Sequence, residues 1–172
     1  MDDVLSLSKI REGKLPFNPQ TGDMSQVIEE IIEEFNSNPD FDHEIQSNLP
    51  ESCFFDFDHK LMRQLITNLL SNAIKYSDKE NPIQIVLQKM HDEVQFEISD
   101  QGIGIPAEEI ENLFSPYFRA SNVDNRQGTG LGMVIVKQAV ELHHGRIEVE
   151  SLQNIGTKFT CFFPENAMRL LS

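Results

Sequence analysis

The sequence predicts an α/β domain built as a two-layer sandwich, in which a mixed, mostly antiparallel sheet packs against about three helices. Residues Leu61 to Tyr76 set Leu61, Met62, Leu65, Ile66, Leu69, Leu70, Ala73 and Ile74 over nearly half of a helix circumference, a face wide enough to require a sheet as its cover. Ile83, Ile85 and Leu87 alternate with polar residues, as do Val94, Phe96 and Ile98, with His91 and Asp92 between them, which is the pattern of an antiparallel hairpin. A chain of 172 residues, 39% of them hydrophobic, is long enough to bury one substantial core.

The remaining elements follow in order. Val4, Leu5 and Ile10 suggest a helix over Asp2 to Glu12 that ends at Gly13, and Pro16 and Pro19 make the next stretch an extended linker. Val27, Ile28, Ile31, Ile32 and Phe35 recur at helical spacing until Asn36, Asn38 and Pro39 stop them. His43 to Asn48 and Cys53 to Phe57 read as short strands, and Asp58 is placed to cap the long helix after them. Pro106 to Phe114 reads as a short helix. Ser115 to Gln127 is irregular and longer than ordinary connections, which marks it as a candidate functional loop. Gly128, Gly130 and Gly132 open a last helix that runs to His144, and strands at Arg146 to Ser151 and Lys158 to Phe163 close the domain. The expected organisation is 1–23 as a helix end plus linker, 24–164 as the main domain and 165–172 as a tail.

Fourteen basic against 28 acidic residues give a formal charge of −14, which repels nucleic acid and anionic membrane surfaces, so a phosphate ligand needs a local device. Cys53 and Cys161 lack metal-ligand spacing, and no apolar run is long enough to cross a bilayer. These features are those of a cytoplasmic chain, with Met1 standing before what reads as the middle of a helix.

Three groups of residues suit a nucleotide. Asn68, Asn72, Lys75 and Tyr76 form one stripe beside the apolar face of their helix. An amide oxygen there can ligate Mg²⁺ and a lysine one turn on can meet a phosphate, although alone the stripe also fits an exposed polar flank. Asp100 shares the alternation of Val94, Phe96 and Ile98, so it points toward the core and needs a donor. Gly102 and Gly104 after it let backbone approach a flat ligand whose amine that carboxylate could accept, and the competing reading is a helix cap in a strand-ending turn. Gly128-Thr129-Gly130-Leu131-Gly132 runs straight into an apolar helix and offers free N–H groups to an anion; a plain flexible loop is the alternative. It is neither a Walker loop nor a dinucleotide fingerprint. The order of all three groups in one domain is a stronger signal than any one of them.

These segments resemble the motifs of sensor histidine kinases, a family with the Bergerat nucleotide fold. Asn68-Leu-Leu-Ser-Asn72-Ala-Ile-Lys75-Tyr76 is similar to the family's N box, and Asp100-Gln-Gly-Ile-Gly-Ile-Pro106 to its first glycine box. Leu113-Phe114-Ser-Pro-Tyr-Phe118-Arg119 resembles its phenylalanine box, Gly128 to Gly132 its second glycine box, and Gly156-Thr157 its late glycine-threonine element. The match spans about Met24 to Pro164, and Leu5 to Gly13 is similar to the end of a dimerisation helix.

The resemblance implies ATP and Mg²⁺ as cofactors. It implies Asn72 as the metal ligand with Asn68 beside it, Lys75 near the phosphates, Tyr76 near the nucleotide, and Asp100 reading adenine. Gly102 and Gly104 would shape the base pocket, and Ile105 and Thr157 would also bind the nucleotide. Gly128, Gly130 and Gly132 would wrap the triphosphate, with Thr129 and Leu131 also binding the nucleotide, beneath a lid, Ser115 to Gln127, from which Arg119 faces the γ-phosphate, with Arg126 a lesser candidate. The implied activity is transfer of that phosphoryl group to a histidine on a dimerisation domain absent from this chain, with a response regulator downstream and membrane anchoring left to the parent kinase. The fragment itself is expected to be monomeric. Related ATPases carry a water-activating glutamate where this chain has Asn68, so little hydrolysis is expected. His144 replaces a frequent glycine and Met133 a usual leucine, neither with an expected ligand role, and His143 and His144 read as a helix end where imidazolium suits the dipole. His43-Glu44 imitates an acceptor motif, but Pro39 and Pro50 bracket it and its alternation fits a strand. The alternatives are a serine kinase of the anti-sigma type and a catalytically silent nucleotide-sensing module.

Overall fold

The computed structural model describes residues 16–123 and 128–165. The expected helix over Asp2 to Glu12, Arg126 and nearly all of the tail lie outside them. The elements, in chain order, are β1 (Gln20–Asp23), α1 (Met24–Asn36), β2 (Ile45–Asn48), β3 (Phe54–Phe57), α2 (His59–Tyr76), β4 (Ile83–Lys89), β5 (Glu93–Asp100), a 3-10 helix (Ala107–Asn112), α3 (Gly132–Leu142), β6 (Arg146–Leu152) and β7 (Gly156–Pro164).

Five strands form one sheet in the order β2-β4-β5-β7-β6. β2 is parallel to β4, and every other pairing is antiparallel. Period-two patterning fixes which face is covered: Ile83, Ile85 and Leu87 on β4 and Val94, Phe96 and Ile98 on β5 are buried, while the residues between them are not. The helices lie on that side, and α2 is the central one. Its Leu65, Ile66, Leu69 and Leu70 are fully buried, each worth about 1.5–3 kcal/mol of apolar transfer. Asp58 caps α2 through an acceptor oxygen 3.0 Å from the Leu61 N–H.

Four details differ from the sequence reading. Of the stretch read as linker, Gln20–Asp23 is a strand paired antiparallel with Phe54–Phe57. The reason is at its end, where Asp23 both caps α1 through the Ser25 N–H and accepts the Cys53 N–H at 2.8 Å. The helix expected over Pro106 to Phe114 is a shorter 3-10 turn without a side-chain cap. The second strand of the sequence begins pairing at Ile45, so His43 precedes it.

The fourth correction concerns His143, which is no exposed imidazolium. It is 1% exposed, its Nε2 accepts the Asp58 N–H at 2.9 Å and its Nδ1 lies 2.6 Å from the Ala139 carbonyl. That pair of contacts defines a neutral ring protonated on Nδ1, and burial pushes its pKa below the ordinary histidine value. The ring ties the end of α3 to the cap of α2. His144 then ends α3 in the left-handed region at φ 54°, the conformation that explains why glycine suits this position.

Candidate nucleotide site

A cleft of about 190 Å³ opens between α2, the ends of β5 and β7, the segment after the 3-10 helix and the start of α3. Asn68, Asn72, Lys75, Tyr76, Asp100, Gly104, Ile105, Arg119, Gly128, Thr129, Gly130, Gly132 and Thr157 all line it. The helical stripe, the strand-end carboxylate and the glycine loop, far apart in sequence, therefore share one surface. Two predicted residues do not line it. Gly102 lies behind Asp100, and a Cβ on it would collide with the Tyr76 carbonyl. Leu131 is 1% exposed, so its side chain packs inward while its N–H reaches the Thr129 hydroxyl at 3.4 Å.

One end of the cleft sets a carboxylate among apolar walls. Asp100 and Thr157 are direct partners across β5 and β7, and burial raises the Asp100 carboxyl to about 6 even though N–H bonds from Gly102 and Thr157 favour its ionised form. The Gly102 N–H bond measures 2.8 Å. Gly104 holds φ at 63°, and a side chain there would strike the Leu152 carbonyl, so glycine is required twice over. Ile103, Phe118, Val123, Met133 and Phe159 supply apolar walls.

The other end is polar. Asn68 donates to the Gln64 carbonyl at 2.9 Å, and its amide oxygen lies 2.9 Å from where a Cβ on Gly132 would stand. The Lys75 ammonium lies 4.8 Å from the centre of the Tyr76 ring and close to Gly128. Gly130, at φ 70°, accepts the Tyr117 N–H at 3.0 Å, and Tyr117 itself is left-handed at φ 62°. A tyrosine in that conformation carries strain that the close approach of the two segments holds in place.

Besides these apolar walls, the sequence reading missed two polar contacts. Met133, set aside as a departure without a ligand role, accepts a hydrogen bond from the Asn72 amide at 3.2 Å and lines the cleft. Its position one residue after Gly132 in the last glycine-led helix was the available signal. Ser151 bonds to Ile105, Gly156 and Thr157 beneath the Asp100 end, and nothing in its sequence neighbourhood marks it.

Comparison with known proteins gives the chain a family and a fold. A family profile described as histidine kinase-, DNA gyrase B-, and HSP90-like ATPase matches residues 57–167. The sensor histidine kinase YvrG of Bacillus subtilis (strain 168) is 33% identical over 167 residues, which is 95% of this chain and 29% of that protein. The heme sensor protein HssS of Staphylococcus saprophyticus is 37% identical over 163 residues, 93% of this chain and 34% of its own length. The chain thus spans about a third of the curated relatives it matches. Among solved structures, the mycobacterial sensor histidine kinase MprB superposes with a TM-score of 0.77 at 28% identity, covering 86% of this chain and 99% of that one. The catalytic domain of histidine kinase ThkA gives 0.76 at 25% identity, covering 90% and 99%.

Proposed function

The chain belongs to the histidine kinase-, DNA gyrase B-, and HSP90-like ATPase family and is an ATP-binding catalytic domain of the sensor histidine kinase type, and we propose that it transfers the γ-phosphoryl group of Mg-ATP to a histidine of a dimerisation domain outside this chain. The observation that carries the proposal is the convergence of Asn68, Asn72 and Lys75, Asp100 with Gly104, and the glycines of the Gly128 to Gly132 loop on a single cleft.

In this reading Asp100 accepts the exocyclic amine of adenine, and Gly104, Ile105 and Thr157 enclose the base. Tyr76 lies beside the nucleotide, and Gly102 acts from behind by holding the Asp100 carboxylate. Gly128, Thr129, Gly130 and Gly132 lead the phosphates to the N-terminus of α3, whose free N–H groups and dipole offset a local negative charge. Leu131 serves that loop through its backbone. Lys75 and Arg119 supply cations at the phosphate end, which a domain of net charge −14 needs there.

Asn72 fits Mg²⁺: its amide nitrogen is engaged by Met133, which turns the oxygen, a hard donor, to the other side. Among the described residues no cluster of three His, Cys, Asp or Glu could hold a metal by itself, in keeping with an ion carried mainly by phosphate oxygens. When bound, Mg²⁺ neutralises charge that develops on the leaving diphosphate.

In the transfer, the unprotonated nitrogen of the acceptor imidazole forms a bond to the γ-phosphorus. The bond from that phosphorus to the β,γ-bridging oxygen breaks, and ADP leaves. Asn68 has no basic lone pair to activate water, which keeps the phosphoryl group for the imidazole. A response regulator as the next acceptor, and a cytoplasmic location, belong to the same proposal. Among the described residues no helix is long and apolar enough to cross a membrane.

Calorimetric titration with a non-hydrolysable ATP analogue and Mg²⁺ tests the binding step. Saturable binding should disappear in Asp100→Asn and become weak or metal-independent in Asn72→Ala. Labelled ATP, supplied with a histidine-bearing dimerisation domain from a related kinase, tests transfer; acid-labile label on that domain is the expected product. Absence of binding by the unaltered chain would end the catalytic reading.

A further inference from the structure

The Asp100 end of the cleft rests on a hydroxyl relay whose protons can be counted. Ser151 closes β6 opposite Thr157 on β7, and its Oγ has three neighbours: the Ile105 N–H at 2.8 Å, the Gly156 carbonyl at 3.0 Å and the Thr157 Oγ1 at 2.8 Å. An amide N–H only donates and a carbonyl only accepts. The single Ser151 proton is therefore committed to the Gly156 oxygen. The remaining contact needs a proton from Thr157, whose hydroxyl must donate to Ser151.

This settles what the cleft presents. Thr157 is 7% exposed and lines the cleft; with its proton turned toward Ser151, the oxygen faces a ligand with lone pairs alone. Its strand partner Asp100, when ionised, offers lone pairs alone as well. At position 6 itself, acceptors alone match an amine, which has two protons to donate, and oppose a carbonyl, because facing lone pairs repel and leave buried polar groups unsatisfied.

We propose that Ser151 is a positioning residue for nucleotide specificity: by taking the hydroxyl proton of Thr157 it holds an acceptor-only edge that selects 6-aminopurine over 6-oxopurine nucleotides. The inference rests on the nucleotide reading of the cleft. Ser151 touches no ligand in it and acts through Thr157.

The test is to measure dissociation constants of ATP and of inosine triphosphate, which share their phosphates and sugar and differ in the position-6 group and the N1 proton that goes with it, for the unaltered chain, Ser151→Ala, Ser151→Thr and Thr157→Val. The unaltered chain should prefer ATP. Ser151→Ala frees the Thr157 hydroxyl to rotate and should lower the ATP preference about tenfold, the worth of one hydrogen bond made or lost. Ser151→Thr keeps the oxygen and should restore the preference. Thr157→Val should lose it too, and adding Ser151→Ala to that variant should change the ratio no further. Equal weakening of both nucleotides in Ser151→Ala would show a merely structural serine and overturn the proposal, as would an unchanged ratio. Binding of neither nucleotide by the unaltered chain would overturn the nucleotide reading, and the inference with it. Should Ser151→Ala fail to fold, Thr157→Val is compared with Ser151→Thr instead: a lost ratio in the first and a retained one in the second support the proposal, and any other pair of results overturns it.

Discussion

Replacing Asp100 by asparagine should stabilise the fold at neutral pH while it abolishes nucleotide binding. The folded domain raises this carboxyl from 3.8 to about 6, so the native state binds the Asp100 proton more tightly than the unfolded chain does. A group shifted in that direction contributes stability that is complete below pH 3.8 and lost as the pH rises through about 6. At about 1.4 kcal/mol per pH unit, the gap amounts to ~3 kcal/mol, all of it forfeited at pH 8. About 1.4 kcal/mol of that difference falls between pH 8 and pH 5, with the native pKa at about 6. Asparagine does not titrate and avoids the burial of a charge. Its oxygen keeps one of the two N–H bonds from Gly102 and Thr157, and losing the other costs about 1 kcal/mol. The variant should therefore exceed its parent by ~2 kcal/mol at pH 8, and the advantage should shrink by about 1.4 kcal/mol at pH 5. Urea unfolding at pH 5, 6, 7 and 8 reads this difference directly, and subtracting the two proteins removes every other titrating group. A difference that stays flat with pH, or that favours the parent at pH 8, would refute the burial argument. A more stable protein that no longer binds ATP would show that the site is held at a cost to the fold.

Three other perturbations act on named contacts. His143 is shifted downward, so its contribution is present above pH 6.5 and lost as the pH falls; His143→Phe should remove that acid sensitivity and cost about 1–3 kcal/mol by orphaning the Asp58 N–H, read from urea midpoints at pH 5.5 and 7.5. Gly104→Ala meets both a left-handed backbone and the Leu152 carbonyl, and should lose about 1–3 kcal/mol of stability, with thermal unfolding as the measure and nucleotide affinity falling alongside. Met133→Leu preserves volume and should change stability by less than about 1.5 kcal/mol. By releasing the Asn72 amide it should weaken Mg²⁺-dependent nucleotide binding about threefold, the value of one weak hydrogen bond, whereas calorimetry showing no change in metal dependence would remove Met133 from the site.

Much of the fold was legible because its signals are local and periodic. The apolar face of Leu61 to Ile74 could serve only a helix on a sheet, and the alternations around Leu87 and Phe96 only a hairpin. The strand at Gln20–Asp23 was illegible because its hydrogen bonds go to Phe54–Phe57, beyond any sequence window, and its polar residues alternate weakly. His143 was misread for a related reason. A histidine at a helix end looks solvated until the Asp58 N–H, brought from the cap of another helix, occupies its ring nitrogen.

The site divides in the same way. The order of the amide stripe, the Asp100 glycine turn and the Gly128 to Gly132 loop pointed by itself to the family and to a nucleotide, since each residue type carries its chemistry wherever it is placed. The sequence could not say that Met133 holds Asn72, that Leu131 turns its side chain away from the cleft, or that Ser151 commits the proton of Thr157. Those are facts about which donors meet which acceptors once β5, β6 and β7 lie side by side and α3 crosses α2. Period and composition determine which elements form; only their packing decides where each lone pair and each proton is directed.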